Sequence, residues 1–518
     1  MNRRKVTAML TAAAMCMTMA GGGLTAKAEV QRDVLNFAIS TDPGDFGPWA
    51  ATNTATRICL WGVYQELATI IDGQEELVLL KSYELSDDGL EMYCEIWDTI
   101  TDTAGNHMTA NDVLFCWETG SELGLLTGTD FVDELEVTGD YTFTFKFNRT
   151  LEKGDTLGLF KWKVVTQAAY EASDDGMATD PVGTGPYIVS DYVSGSGFTY
   201  TLRDDYWQTD EYNASTNGQN VQTINWYIIT ESSQRTIALQ TGQVDLCQEI
   251  NSLDLAQFDE GGAYSEDYDL YGISEDKTIQ FFANCTEGSV TDDVNLRIAM
   301  YYAIDNEVIL NSVYGGSGTA VHELMGTWAD GYNSDWDTED NYYNYDVEKA
   351  AEYLAASNYN GEELELIVEN DENKTNVAQL VQVFLQEIGV NVTISTVEAS
   401  SWDDYKSSGD WDLLISDDAA NVYAVKGWWG VLSQDRYGEE RGTVNFIQDE
   451  TLQDLISAAM AVDATDEDNT AVHDYIIENG YGYGIVNPYM YYVIPSDMTN
   501  VVTSYQRAVI PGSCTYEN

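Results

Sequence analysis

The chain has 518 residues and carries 87 acidic against 23 basic side chains, for a net charge of −64. It is too long for one ordinary hydrophobic core, so we expect two or more packed units with volume for a ligand cleft between them. Apolar residues at 44% and charged residues at 21% exclude a disordered chain and a membrane protein with many spans. Because so acidic a surface repels phosphate, we expect binding neither to nucleic acid nor to anionic membranes.

The first 28 residues have the pattern of a secretory signal. Basic residues at 3–5 precede an apolar run from 6 to 20, and small residues end the segment at Ala28. The run is shorter than the ~20 residues that span a bilayer. We therefore predict an exported, extracytoplasmic protein with no membrane insertion after signal removal, whose net charge falls to −68 because four basic residues leave. A lipid anchor at Cys16 is the less favoured alternative, since the bulky Met15 precedes it.

Alternating apolar and polar residues predict strands through the first half of the mature chain. The clearest runs are LEMYCEIWDTI at 90–100, YTFTFKFN at 141–148, FTYTLRDDYW at 198–207 and INWYIIT at 224–230. Between the first two runs, Thr109 with Asp112 three residues later has the form of a capping box and predicts a helix through Trp117. The first half is therefore richer in strands than in helices.

The stretch PVGTGPYIVSDYVSGSG at 181–197 concentrates residues that control the backbone. Two of the chain's seven prolines lie here, with two glycines between them. Proline fixes φ and glycine permits positive φ, so the stretch predicts a rigid turn that sets the direction of a hairpin strand beginning at Tyr187. No proline lies between Pro186 and Pro488, which indicates one lobe built from separated segments with a second lobe inserted.

The second half has the succession of strands and helices that is typical of an α/β unit. A strand at 364–368, a helix at 377–388 ended by Gly389 and a strand at 390–394 predict a parallel strand pair. The remaining predicted elements are a strand at 411–416 and helices at 292–304, 305–314 and 346–356, the last with Asp346 as its cap. The predicted fold class is therefore mixed α/β.

Catalytic and metal-binding motifs are missing from the sequence. It has no GxSxG, HExxH or phosphate-loop motif, and its three histidines lie far apart, so we expect no catalytic residue, no cofactor and no metal site. Six cysteines remain after signal removal, without CxxC spacing, and their number permits disulfides or free buried thiols. They are Cys59, Cys94, Cys116, Cys247, Cys285 and Cys514.

Several segments carry a resemblance to a known family. PVGTGPY at 181–187, followed by LRDDYW at 202–207, is similar to the signature of the solute-binding proteins of ABC importers, family 5, the peptide- and nickel-binding group that includes the oligopeptide- and dipeptide-binding proteins. The other similar segments occur in the same order and span nearly the whole mature chain: GVYQELATI at 62–70, KSYELSDDGLEMYCEI at 81–96, MTANDVLFCWE at 108–118, ALQTGQVDL at 238–246, DDVNLRIAMYYAIDNEVILNSVYGG at 292–316 and NPYMYYVIP at 487–495.

The resemblance implies a two-lobed α/β fold of the class II periplasmic-binding-protein-like type with an extra α+β subdomain. Lobe I would combine 29–49, 181–279 and 486–518, the extra subdomain would cover 50–180, and lobe II would cover 280–485. It also implies a protein without catalysis that closes on a ligand, foremost a peptide, and delivers it to the permease subunits of an ABC importer. The alternatives are an oligosaccharide or another polar organic solute, a ligand sensor coupled to signalling, and a secreted hydrolase.

The ligand-binding residues are predicted mainly from the segment at 412–430, DLLISDDAANVYAVKGWWG. In the peptide-binding members an aspartate after the corresponding strand pairs with the free amine of the peptide, within a motif carrying Gly-Trp and Asp-Pro. This chain departs from that motif, because it has Ala420 near the expected position and no Asp-Pro. We predict that Asp417 or Asp418 receives a ligand cation. The other predicted contacts are stacking by Trp411 and Trp428 and a polar contact by Tyr491, with core packing as the favoured alternative for each aromatic residue taken alone.

Overall fold

The structure, a computed structural model, describes residues 32–49, 58–71, 74–126, 128–208, 218–250, 252–275, 277–337, 343–417, 422–504 and 508–517. The predicted signal segment with Cys16 lies outside the described residues, as do Asp418 and Ala420.

Strands and helices alternate along most of the described chain. The strands are β1 (Arg32–Ile39), β2 (Gln65–Glu66), β3 (Ala68–Ile71), β4 (Gln74–Leu77), β5 (Leu80–Leu85), β6 (Glu91–Ile96), β7 (Val132–Val137), β8 (Thr142–Phe147), β9 (Lys163–Val164), β10 (Tyr187–Val193), β11 (Gly197–Leu202), β12 (Val221–Ile228), β13 (Leu246–Gln248), β14 (Tyr268–Ser274), β15 (Ile279–Ala283), β16 (Gly318–Ala320), β17 (Glu363–Glu369), β18 (Asn391–Val397), β19 (Leu413–Ser416), β20 (Tyr483–Pro495), β21 (Met498–Asn500) and β22 (Thr515–Tyr516). The α-helices are α1 (Ala110–Glu122), α2 (Asp155–Phe160), α3 (Gln167–Ala172), α4 (Ser232–Gln240), α5 (Ser252–Leu255), α6 (Val294–Ala303), α7 (Asn306–Val313), α8 (Val347–Ala356), α9 (Glu372–Glu387), α10 (Trp402–Ser408), α11 (Ala424–Leu432), α12 (Gln434–Tyr437), α13 (Glu450–Ala459) and α14 (Asp466–Asn479).

One twelve-stranded sheet joins the two halves of the molecule. Its strands follow the order β10-β11-β12-β1-β13-β20-β15-β19-β17-β18, and β14 and β16 also pair with β20. The first part of β20 pairs with β15 and β16, while its last part pairs with β13 and β14. We call the half with β1 and β10–β14 lobe I, and the half with β15–β19 lobe II. β20 is shared by both lobes, and the predicted boundaries of the lobes by residue number stay a prediction.

Large aromatic side chains fill the centre of lobe I. Phe37 of β1 stacks on Trp226 of β12 with ring centroids 4.6 Å apart, and Phe198 of β11 stacks on the same indole at 5.5 Å. β1 and β12 pair in parallel, whereas β10 and β11 form the predicted antiparallel hairpin. The strands of lobe I are thus held by one shared aromatic core.

The glycines of the 181–187 stretch allow a close approach of two backbones. The expected positive φ is wrong, because neither Gly183 nor Gly185 has one. A side chain at these positions would place its Cβ 2.1 Å from the carbonyl oxygen of Val63 and 2.4 Å from that of Gly62. The amide nitrogen of Gly185 donates to the first of these oxygens at 2.8 Å, and that of Tyr187 donates to the second at 2.9 Å. The stretch is fixed by this pairing rather than by an unusual turn.

The extra subdomain contains a sheet of its own with the order β5-β6-β8-β7. Helix α1 begins with the predicted capping box, in which the backbone nitrogen and hydroxyl of Thr109 both donate to the carboxylate of Asp112. The buried residues of the subdomain, such as Met92 of β6 and Phe145 of β8, belong to the same hydrophobic cluster as those of lobe I. The subdomain therefore shares a core with lobe I, which the sequence did not indicate.

Lobe II contains the predicted strand-helix-strand unit. β17 and β18 pair in parallel along seven residues, and the connecting α9 buries Val377, Val381 and Leu385 against them. Asp346 accepts a hydrogen bond from the backbone nitrogen of Lys349 and caps α8 as predicted. A second cluster on the other face of the sheet packs the tryptophan-rich helices, so lobe II has helices on both sides of its strands.

Candidate functional site

The chain crosses between the lobes at two neighbouring places, and Asn487 joins them. One crossing is the connection from β14 to β15, and the other is the middle of β20. The side-chain amide of Asn487, only 1% exposed, donates to the carbonyl oxygens of Lys277 at 2.6 Å and of Glu275 at 3.3 Å. Its Oδ1 accepts a hydrogen bond from the Ser274 hydroxyl. Two strand crossings tied side by side form a hinge, about which the lobes can rotate.

A cluster of charged side chains lies beside this hinge on lobe II. The parallel strands β17 and β19 are neighbours, so Glu369 and Asp417 meet where these strands end. Lys374, in the first turn of α9, places its Nζ 2.6 Å from a carboxylate oxygen of each. The Nζ of Lys277, from the hinge connection, lies 3.4 Å from the other oxygen of Asp417. The carboxyl ends of strands in α/β proteins are the usual place for a ligand, so this edge is the candidate site.

Asp417 is ionised and already paired in this cluster. Burial raises its pKa, but the hydrogen bond and charge of Lys374, together with those of Lys277, outweigh burial and hold the pKa below its usual value. A ligand amine would have to replace one of these two ammonium groups. Lys277 is the one to be replaced, because it is the more distant and 40% of its side chain is exposed, against 11% for Lys374.

Tyr491 lies on β20 just past the hinge and is half-buried. Burial raises the pKa of its phenol, although a hydrogen bond with Ser317 of lobe II opposes the shift. Gly272 on the adjacent β14 makes room for the ring, since a Cβ there would lie 2.9 Å from Cε1 of Tyr491. The structure thus brings Tyr491 to the lobe junction, and its polar contact with a ligand stays a prediction.

Trp411 and Trp428 pack inside lobe II, and the stacking role expected of them needs correction. They are 4% and 1% exposed. The indole nitrogen of Trp411 donates to the carbonyl of Lys406 at 3.1 Å, and Trp428 packs on Trp336 with ring centroids 5.9 Å apart. A ring covered in this way offers no face to a ligand, so core packing, the favoured alternative, describes both residues.

The residues that the sequence did not reveal are Lys374, Lys277 and Asn487. A signal for Lys374 was present, because Asp371 is a capping residue that places the following turn at the end of β17. The two hinge residues have no such local signal. Their contacts come from strands far apart in sequence.

A small cavity lies elsewhere, between the lobe I sheet and residues 508–512. Its walls include Trp61, Tyr187, Tyr200, Trp226 and Ile510, and none of the described residues that line it has a side chain charged at neutral pH. Each of these described lining residues comes from lobe I or the extra subdomain, so movement of lobe II does not form the cavity. We therefore place the candidate site at the hinge edge and not in this cavity.

Two lobes joined by a double strand crossing, with charged groups at the strand ends beside it, define the class of two-lobed solute-binding proteins. The chain belongs to the bacterial extracellular solute-binding proteins, family 5, whose middle region matches residues 76–431. Family membership, the α/β class and the two-lobed fold predicted from the sequence are confirmed. Among the described residues, none of the helices combines the length and apolar character needed to cross a bilayer.

Similar proteins agree with this assignment. Heme-binding protein A of Haemophilus influenzae is 24% identical over 382 residues, which is 66% of each chain. The dipeptide-binding protein of Escherichia coli is 22% identical over 443 residues, covering 79% of this chain and 78% of that one. The structure of HbpA2 from Haemophilus parasuis has a TM-score of 0.83 at 18% identity, covering 94% of this chain and all of the other. At that identity the structural likeness establishes the fold alone.

Proposed function

We propose that the protein captures a peptide between its two lobes outside the cytoplasm and delivers it to the permease of an ABC importer. The observation that carries the proposal is the hinge, in which Asn487 ties the β14–β15 connection to β20 beside the charged edge of lobe II. Rotation at such a hinge closes both lobes around a ligand, and the closed form is favoured when the ligand bridges them.

The positive and negative ends of a peptide fit the negative and positive side chains present at this edge. Asp417 offers a carboxylate to the free amine once Lys277 moves aside, and the displaced ammonium of Lys277 is then available to a ligand carboxylate. Lys374 remains buried and keeps its contacts with Glu369 and Asp417. In this arrangement Lys277 acts as an exchangeable partner, and Asp418 is a second candidate for the amine.

A thermal-shift screen of the exported form tests the proposal. Peptides, oligosaccharides and hemin are compared at equal concentration, since a ligand at a hundredfold its dissociation constant adds ~2.7 kcal/mol of stability. We expect a shift with peptides. A shift with oligosaccharides or hemin and none with peptides would replace the ligand class, and conversion of any bound peptide into products would contradict capture without chemistry.

Release from the membrane after signal cleavage is part of the same proposal, with the lipid anchor at Cys16 as its alternative. Mass spectrometry of the exported protein distinguishes the two outcomes. A mature chain beginning after Ala28 supports cleavage at that position and release from the membrane. A chain beginning with a lipidated Cys16 contradicts release.

A further inference from the structure

Lobe II contacts the rest of the molecule at a second place, away from the hinge strands, where it meets the extra subdomain. Residues 152–155 of the subdomain meet Lys426 of α11 and residues 460–461, which follow α13. Glu152 and Ala461 form an antiparallel bridge, and the backbone nitrogen of Lys153 donates to the carbonyl oxygen of Met460 at 2.8 Å. This contact pairs backbone with backbone across two parts of the molecule that belong to different cores.

Charged side chains reinforce the backbone contact. The Nζ of Lys426 lies 3.4 Å from a carboxylate oxygen of Asp155 and 3.7 Å from one of Glu152. The Asp155 side chain is 5% exposed and that of Lys426 16%, so solvent screens their attraction less than it screens a surface pair. Arg149 holds the other oxygen of Asp155 at 2.7 Å, which fixes the carboxylate toward lobe II.

Gly154 lets the two parts approach. Its φ of 81° is in the left-handed region, and a Cβ there would lie 3.2 Å both from Cε of Lys426 and from Cδ2 of Tyr423. A side chain at this position would therefore be strained by its own backbone and would crowd lobe II. The segment is shaped for contact with the lobe opposite.

We propose that residues 152–155, Lys426 and residues 460–461 form a latch that holds the extra subdomain against lobe II and favours the arrangement of the lobes described here. All contacts of the latch are made within the protein, so it stabilises this arrangement with or without a bound ligand. Separation of the extra subdomain from lobe II requires that the backbone hydrogen bond between Lys153 and Met460 and the ion pairs of Lys426 break.

The latch rests on the two-lobe capture proposed above, but its test needs no ligand. Spin labels are attached to Ser121→Cys in α1 and Ser457→Cys in α13, which are both exposed. The six native cysteines of the mature chain are buried and free, so they compete little for the label. Pulsed electron spin resonance then gives the distribution of distances between the extra subdomain and lobe II.

Two variants remove the latch by different means. Lys426→Met removes its charge pairs, and Gly154→Ala adds bulk without changing charge. We expect each to lower the ratio of short to long distances about tenfold, which corresponds to about 1.4 kcal/mol. Lys81→Met is the matched control, because Lys81 pairs with Glu95 inside the subdomain at 2.6 Å and should leave the distribution unchanged.

The outcomes separate the latch from the function. A distribution that stays at the wild-type form in both variants would overturn the latch, as would an equal effect of Lys81→Met. Circular dichroism confirms that each variant is folded. Failure of the ligand screen would overturn the proposed function instead, and it has no bearing on the label distances.

Discussion

Asn487 is the residue whose removal tests the hinge most directly. Asn487→Ala deletes two donated hydrogen bonds, to the carbonyls of Lys277 and Glu275, and one accepted from the Ser274 hydroxyl. Each such bond contributes about 1 kcal/mol net, and a buried group left without a partner costs about 1–3 kcal/mol. With two carbonyls stranded, we expect the free energy of unfolding to fall by about 2–4 kcal/mol.

A matched control lies inside lobe II. Asn284, which is 4% exposed, donates to the carbonyls of Gly409 at 3.0 Å and Trp411 at 2.9 Å and accepts from the backbone nitrogen of Thr286. Asn284→Ala should therefore lose a similar free energy of unfolding. The two variants should differ in the label distances between the extra subdomain and lobe II, which only Asn487→Ala broadens.

Urea unfolding followed by tryptophan fluorescence measures the loss, with the midpoint compared at an unchanged slope. The hinge role of Asn487 is contradicted if the free energy of unfolding of Asn487→Ala lies within about 0.5 kcal/mol of the wild-type value while Asn284→Ala loses the expected amount. An unchanged label distribution in Asn487→Ala would also refute it, because the residue would then stabilise lobe I and lobe II without fixing the angle between them.

Three further predictions concern other parts of the molecule. Lys277→Met should tighten binding of a peptide that has a free amine and an amidated carboxyl end, measured by titration calorimetry, since the competitor for Asp417 is gone and no contact to a ligand carboxylate is lost. The same peptide with an acetylated amine should gain nothing, and equal gains would contradict the exchange. Burial lowers the pKa of His473, but the Glu323 carboxylate at 2.8 Å and then Asp474 outweigh burial and raise the pKa. The stability that this histidine contributes is therefore full below about pH 6.5, the pKa of a histidine in the unfolded chain, and is lost as pH rises through the pKa of His473 in the folded protein. His473→Gln should therefore flatten the melting temperature between pH 6 and 9, and a parallel curve would exclude the pair as the cause. Burial raises the pKa of the Cys285 thiol to about 12 and acts in the same direction on the other five, so native protein should resist thiol reagents that label it fully in denaturant.

Local chemistry explains which parts of this fold were predictable from the sequence. The capping box at Thr109 and the cap at Asp346 depend on neighbours three residues away, and both are found where predicted. The parallel pair of β17 and β18 follows from the helix between them, because such a crossover returns the chain in the same direction.

The candidate site was harder to predict from the sequence because its contacts join residues that are far apart in the chain. Asp417 was predicted from its place after a strand, but its partners depend on α9 and on the hinge, which no spacing around residue 417 reveals. The same reason explains Trp411 and Trp428. Their positions beside the site were inferred from sequence order, whereas burial is decided by which side of the sheet each ring faces.

The shared strand β20 has a consequence for how the chain acquires its structure. It lies between β13 and β15 in the middle of the large sheet, yet it begins only at Tyr483, near the end of the chain. A polypeptide that emerges from its amino end therefore exposes two incomplete sheet edges until residues 483–495 arrive. Those edges have to be protected against aggregation by a chaperone or by rapid addition of β20 to the sheet. Removal of β20 would disrupt both lobes at once.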